Sequence, residues 1–348
     1  MNVYEGLSFL NCSEYQDYLF YKKEIGLIDK VKNIFNSEDL SIRSRPLMLI
    51  CETVNICNHN CIVCPYSSLK RKKQIMDIDI FRKVLCDYSE MGGGFLSLTP
   101  MVGDIFFDKF LPERLEMISD YPLIKNISVT TNTVCADNFS DESLKYIINQ
   151  FDRFHISVYG LDENEYFTMT QRKTYSKMIH SIEKILDITE KENIVFGFRL
   201  LKNRSGSEIE TWFEDNFGKI YPYSYTNMYS NWGCSLDSSN ILPWDASWNK
   251  KDESDEPCLI PLLGMQIFPN GDVSFCACAD FECNPELYLG NIITNSLGEI
   301  YNSEKTKNLW HNLPKVPDIC KNCSFYKPLS DLKNNENIFE SPLDMVGG

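Results

Sequence analysis

The stretch "ICNHNCIVCPY", residues 56–66, places Cys57, Cys61 and Cys64 in the pattern C-x3-C-x2-C. A zinc site takes four ligands and a disulfide takes two, so three clustered thiols ask for another partner. The apolar run just before them, "LMLICET" (47–53), reads as a buried strand. The thiols therefore sit on the loop that leaves the end of a strand.

Outward from that loop, strand-like and helix-like patterns alternate. Helical spacing marks "MDIDIFRKVLCDYSEM" (76–91), "LPERLEMI" (111–118), "SDESLKYIINQF" (140–151, with Ser140 as its cap), "YSKMIHSIEKILDITEKE" (175–192) and "SEIETWFEDNF" (207–217). Strands are read in "FLSLTP" (95–100), after the break at Gly92, Gly93 and Gly94, and in "NISVTTN" (126–132), "RFHISVYG" (153–160), "IVFGFRLLK" (194–202) and "YPYSYTNMY" (221–229). Six strands alternating with helices imply βαβ units and a parallel sheet. The expected fold is α/β, a partial (β/α)6 TIM-type barrel. In such barrels chemistry sits on the loops after the C-terminal ends of strands, which is where the three thiols lie.

Composition narrows the class. The chain has 348 residues, 14 Cys, 43% hydrophobic residues and a formal net charge of −15. That charge argues against a nucleic-acid surface, which usually shows a basic patch. No basic segment followed by an apolar run opens the chain, and no run of about 18 apolar residues spans a membrane. A cytoplasmic location with reduced thiols is expected, and there clustered Cys point to metal or catalysis. Cys12, Cys51, Cys86, Cys135 and Cys234 are scattered and read as small buried hydrophobes. Cys258, Cys276, Cys278, Cys283, Cys320 and Cys323 form a late cluster.

Iron–sulfur cubanes are normally held by four Cys thiolates, so three leave one iron open to a small chelating molecule. The C-x3-C-x2-C loop after the first strand of a βα barrel resembles the radical S-adenosylmethionine (radical SAM) superfamily, over roughly residues 46–330. The resemblance implies a [4Fe–4S] cluster on Cys57, Cys61 and Cys64 whose open iron binds the amino and carboxylate groups of SAM. Reductive cleavage then gives a deoxyadenosyl radical that removes a substrate hydrogen atom. By the same resemblance Gly103 and Asp104 in "TPMVGD" stand where the family has a Gly-Glu motif facing the SAM amino group. Asn132 in "TTN" and Ser157 in "ISVYG", which is similar to "ISLDG", would also face SAM. Val63 stands where an aromatic residue usually covers the adenine. Arg172 is a further site candidate, and Arg199 in "GFRLL" is a carboxylate clamp candidate, since its fork fits a carboxylate bidentately. Taken alone, both arginines are more often surface or ion-pair residues. His59, inside the loop, is an alternative zinc ligand.

The late cluster reads "CLIPLLGMQIFPNGDVSFC" (258–276), with Asn270-Gly271 as a hairpin turn, then a helical segment "SLGEIYNSEKTKNLW" and "ICKNC". It resembles the twitch domain, the one-cluster form of the SPASM domain. That implies a second [4Fe–4S] cluster on Cys258, Cys276, Cys320 and Cys323, with Cys278 and Cys283 as rivals and a zinc ribbon as the alternative. The expected organisation is an N-terminal helical extension (1–45), the barrel (46–230), a linker (231–257), the twitch/SPASM-like domain (258–326) and a C-terminal tail (327–348). The tail's Gly347-Gly348 resembles that of GTP-cyclising molybdopterin enzymes, but their auxiliary Cys pattern is absent.

The layout is similar to radical SAM aminocyclitol dehydrogenases of the butirosin type. This implies two-electron oxidation of a sugar or aminocyclitol alcohol, with the auxiliary cluster accepting an electron and Arg172, Asp280 and Tyr159 lining the pocket. Alternatives are a radical epimerase with a Cys hydrogen donor (Cys135, Cys234 or Cys278) and a ribosomal-peptide maturase forming thioether or carbon–carbon links. An electron-carrier protein has no use for an open three-Cys site. Expected partners are a small polar substrate or peptide and an electron donor such as flavodoxin or ferredoxin.

Overall fold

The computed structural model describes residues 46, 48–189, 192–250, 258, 260–312 and 317–326. The extension read over 1–45 and the tail over 327–348 lie outside the described residues. Six strands pair in chain order, each parallel to the next: β1 (Met48–Cys51), β2 (Gly94–Ser97), β3 (Ile124–Thr131), β4 (Arg153–Val158), β5 (Ile194–Arg199) and β6 (Tyr223–Thr226). Each expected strand is found, shorter than its apolar run except for β3, which begins two residues earlier and is one residue longer. The last one splits, so that "NMY" contributes a separate strand β7 (Met228–Tyr229).

The helices cover the sheet through apolar stripes. Helix α1 (Ile78–Glu90) buries Phe81, Val84, Leu85 and Tyr88, at the i, i+3, i+4, i+7 spacing of one helical face. After α2 (Leu111–Ile118) comes α3 (Asp141–Gln150), capped by Ser140 as expected: its hydroxyl accepts from the Ser143 amide. A helix the sequence did not reveal, α4 (Glu163–Thr170), precedes α5 (Tyr175–Ile188). Its buried face carries Glu165, Tyr166, Met169 and Thr170, a mixture with no apolar stripe to read. Helix α6 (Gly206–Phe217) opens with a Ser205–Glu208 capping box.

The stretch expected as a linker carries structure of its own. Strand β8 (Ser247–Trp248) pairs parallel with β7, and Trp232 and Leu242 are buried. The C-terminal part then returns to the sheet. The expected hairpin forms from β9 (Gly264–Ile267) and β10 (Asp272–Ser274), with β11 (Tyr288–Asn291) beside it. β9 lies parallel to β1, Met48 opposite Gly264, giving the order β11-β10-β9-β1-β2-β3-β4-β5-β6. The α/β partial barrel and its cysteine-rich C-terminal unit are thus one open sheet. The strand leading into the three-thiol loop is flanked directly by the strand of the late cysteines.

Candidate active site

The three-thiol loop leaves β1 and is held from two sides. On one side, its Asn60 and Ile62 amides donate to the Thr170 and Met169 carbonyls at the end of α4, at 3.0 and 2.9 Å. His59 is buried, and its Nε2 lies 2.8 Å from the Tyr166 hydroxyl of the same helix. That engagement leaves Nδ1 as the ring nitrogen without a partner, and burial holds the imidazole pKa down at about 3. On the other side, Asn132 at the tip of β3 donates from Nδ2 to Asn58 Oδ1 at 2.9 Å and to Cys57 Sγ at 3.8 Å. The Cys57 amide donates to the Tyr66 hydroxyl at 2.9 Å.

A cavity opens beside the thiols. Its lining includes Cys57, Cys61, Cys64, Val63, Gly103, Asp104, Asn132, Ser157, Tyr159 and Arg199. Ten residues singled out from the sequence, drawn from the ends of five strands, thus meet in one place. Gly103 permits a close approach: a Cβ there would lie 2.8 Å from the Val54 carbonyl oxygen and 3.1 Å from Asn55 Cα. Asp104 is fully engaged by protein donors. One carboxylate oxygen accepts from Thr131 Oγ1 and the Asn132 amide, both at 2.8 Å, and the other accepts from the Phe106 amide. Burial raises its pKa. It braces the β3 tip against the loop after β2 while forming part of the wall. Ser157 differs, because its buried hydroxyl meets no hydrogen-bond partner in the protein. A buried hydroxyl left without a hydrogen bond costs about 1–3 kcal/mol.

Arg172 and Asp280 are placed elsewhere. Arg172 is exposed, outside the cavity lining, and donates from Nε to the Asn58 carbonyl at 2.9 Å, bracing the thiol loop from behind. Asp280 is 1% exposed and lies on the late-cysteine loop. Its oxygens accept from Ser274 Oγ at 2.6 Å and from the Asn284 amide at 2.8 Å. Both hydrogen-bond to the loops that carry thiols and stand outside the first cavity's lining.

The late thiols converge as well. Cys258, Cys276, Cys320 and Cys323 line a second cavity with Cys278, while Cys283 does not. Burial, then the neighbouring Cys276, Cys258 and Cys323 thiols, push the Cys320 pKa up. Between the two cavities stands Trp232, which the sequence reading did not single out. Its ring lines the first cavity, its Nε1 donates to the Val63 carbonyl at 3.0 Å, and its edge meets Phe325 at 5.4 Å, two residues beyond Cys323. A second bridge runs through Arg71, which donates to Glu52 after β1 at 2.8 Å and to the Phe281 carbonyl at 2.6 Å.

The donor set suits iron–sulfur clusters. Burial raises the pKa of Cys57 and Cys61 and pushes Cys64 up to about 11. Buried thiols of this kind become thiolates only when a metal replaces their protons. Among the described residues no three His, Cys, Asp or Glu side chains converge as ligands of a single ion.

Comparison with known proteins agrees. The family model of the Radical SAM superfamily matches residues 51–211, and that of an iron–sulfur cluster-binding domain, SPASM, matches residues 258–324. A GTP 3',8-cyclase of Clostridium botulinum is 28% identical over 171 residues, 48% of this chain. The match spans about half the length of that relative, 51%. The crystal structure of BtrN in complex with AdoMet and 2-DOIA has a TM-score of 0.53 at 18% identity, covering 80% of this chain and 93% of BtrN. Streptococcus suis SuiB bound to its precursor peptide SuiA has a TM-score of 0.59 at 14% identity, covering 90% and 75%. At these identities the structures show a common fold. The two domains imply SAM and [4Fe–4S] clusters as cofactors, and no described helix is long and apolar enough to cross a membrane. The chain carries a radical SAM domain followed by a C-terminal SPASM iron–sulfur domain.

Proposed function

We propose that this chain oxidises an alcohol carbon of a small polar substrate, of sugar or aminocyclitol type, by radical chemistry. Bound SAM and the first cluster supply a hydrogen-abstracting carbon radical, and the auxiliary cluster supplies a one-electron acceptor. In becoming a carbonyl, the substrate's CH–OH group gives up one hydrogen atom, one proton and one electron, so the balance needs both. Cys57, Cys61 and Cys64 would hold the first cluster, and Cys258, Cys276, Cys320 and Cys323 the second. Ser157 would donate its unpaired hydroxyl to SAM. Gly103 would let the main chain approach it, Val63 would cover the adenine, and Asp104 and Asn132 would fix the wall. Tyr159 would line the path to the substrate, and a flavodoxin or ferredoxin would supply the reducing electron.

The observation that carries this reading is Trp232, one side chain that touches both the first thiol cavity and the aromatic wall of the second. An electron leaving a substrate radical beside the first cavity would pass to the auxiliary thiols by way of Trp232 and Phe325. The experiment uses reconstituted enzyme and sugar-type substrates in deuterated water, read by mass spectrometry. Product two hydrogens lighter, lost in Cys320→Ala/Cys323→Ala while deoxyadenosine still forms, is the expected result. Product of unchanged oxidation state carrying one deuterium would replace oxidation with epimerisation.

A further inference from the structure

A further space lies along the partial barrel, lined by residues of β3, β4, β5 and β6 and open to solvent on one side, with a volume of about 250 Å3. Its walls are built by period-two alternation. Thr130 of β3, Arg153 and His155 of β4, Gly197 and Arg199 of β5 and Thr226 of β6 all line it. Thr130 and Arg199 also line the cavity beside the three thiols, so the two spaces meet there. A molecule seated in the lumen would reach toward the place where the hydrogen-abstracting radical forms.

The chemistry of this lumen is one-sided. The chain carries a net charge of −15, yet among the described residues no carboxylate lines the space, while two guanidiniums and an imidazole do. Arg153 is only 5% exposed. Both arginines also interact with other protein groups, which a guanidinium with five donors can do while offering others to a ligand. The imidazole of His155 has Nδ1 3.3 Å from Thr130 Oγ1, and its buried Nε2 has no hydrogen-bond partner in the protein. Gly197 makes room for it, since a Cβ there would lie 2.4 Å from His155 Nε2. The remaining polar lining is hydroxyl, including Ser128 and Ser224.

We propose that the barrel lumen binds an anionic group of the substrate, a phosphate ester or a carboxylate on a polyhydroxylated molecule, with Arg153 and Arg199 as its counter-ions and His155 Nε2 as a hydrogen-bond partner. Two guanidiniums lining one space attract an oxyanion bidentately. They repel the ammonium of a bare aminocyclitol, which the sequence resemblance would have allowed. The inference rests on the radical oxidation reading only in taking the reacting carbon to lie where lumen and thiol cavity meet.

The test is calorimetric binding to the reconstituted full-length protein loaded with SAM, at constant ionic strength. The probes are inorganic phosphate, gluconate and glucosamine. Binding of phosphate or of gluconate, with none of glucosamine, is expected, and the anion that binds distinguishes a phosphate ester from a carboxylate. Arg153→Gln and Arg199→Gln, each checked for full iron content as evidence of folding, should weaken that binding by about tenfold or more. Arg153→Lys should restore part of it. The inference is overturned if neither anion binds, if binding survives both Gln variants unchanged, or if glucosamine binds more tightly than either anion. Oxidation stands or falls separately, on product mass.

Discussion

The two thiol cavities differ in their walls more than in their thiols. The first is lined by His59, Thr131, Asn132, Ser157, Asp104 and Arg199 around its three cysteines. The second surrounds its cysteines with Ile260, Pro261, Phe275, Leu287, Ile319 and Phe325. A polar wall with an unpartnered hydroxyl is suited to a ligand that must be held, turned over and released. An apolar wall excludes water and suits a cluster whose only traffic is electrons. The fold sets the two side by side through the β1–β9 pairing, and Trp232 fills the gap.

Ser157 is where this contrast can be sharpened with the larger effect. Its buried hydroxyl and the Nδ1 of His59 are, among the described residues, polar atoms of the first wall for which the protein provides no hydrogen-bond partner. Ser157→Ala should weaken SAM binding by about five- to tenfold, the size of one neutral hydrogen bond, while iron content stays at the wild-type level. Equilibrium binding of SAM to the reconstituted protein reads this. Unchanged affinity would mean that Ser157 does not face the ligand and that the polar wall serves another purpose.

A smaller effect should appear with pH, again on the polar side alone. Burial first, then the Arg153 and Arg199 guanidiniums, hold the His155 pKa well below its ordinary value. The groups facing its ring are Arg153 on the same strand, Arg199 and Gly197 on β5 and Thr130 on β3. Below about pH 6.5 the unfolded chain binds a proton that the folded imidazole refuses. This group's stability is therefore complete above about pH 6.5 and is lost as pH falls toward the folded pKa. Thermal unfolding of the holoprotein between pH 7.5 and 5 should show that loss, and His155→Gln should reduce it. Identical pH slopes for the two proteins would remove His155 from the account.

Much of the first cavity was legible in the sequence because its residues sit at strand ends, and strand ends are marked by apolar runs giving way to polar motifs. Cys57, Gly103, Asn132, Ser157 and Arg199 could be placed in this way. What escaped was whatever depends on contacts between distant segments. Trp232 lies in a stretch that reads as a linker, with no periodic pattern, and becomes buried only because the late segment folds back against the thiol loop. Helix α4 buries Glu165 to cap the Leu201 and Lys202 amides, at 2.9 Å each. A charged residue on an inward face hides a helix from any hydrophobic count. Arg172 and Asp280 lie outside the first cavity's lining, where they hydrogen-bond to the thiol-bearing loops, a placement that their sequence context does not encode. The parallel docking of β9 on β1 is a long-range pairing that no local signal encodes.

The claim that both cavities hold clusters is tested most directly by counting metal. Anaerobically reconstituted wild-type protein should contain about eight iron and eight sulfide, as two [4Fe–4S] clusters. Replacing Cys57, Cys61 and Cys64 by Ala, or separately Cys320 and Cys323, should leave about four in each case. Stoichiometric zinc, with iron near four in the wild type and unchanged by loss of Cys320 and Cys323, would contradict the account and make the second cavity a structural zinc site.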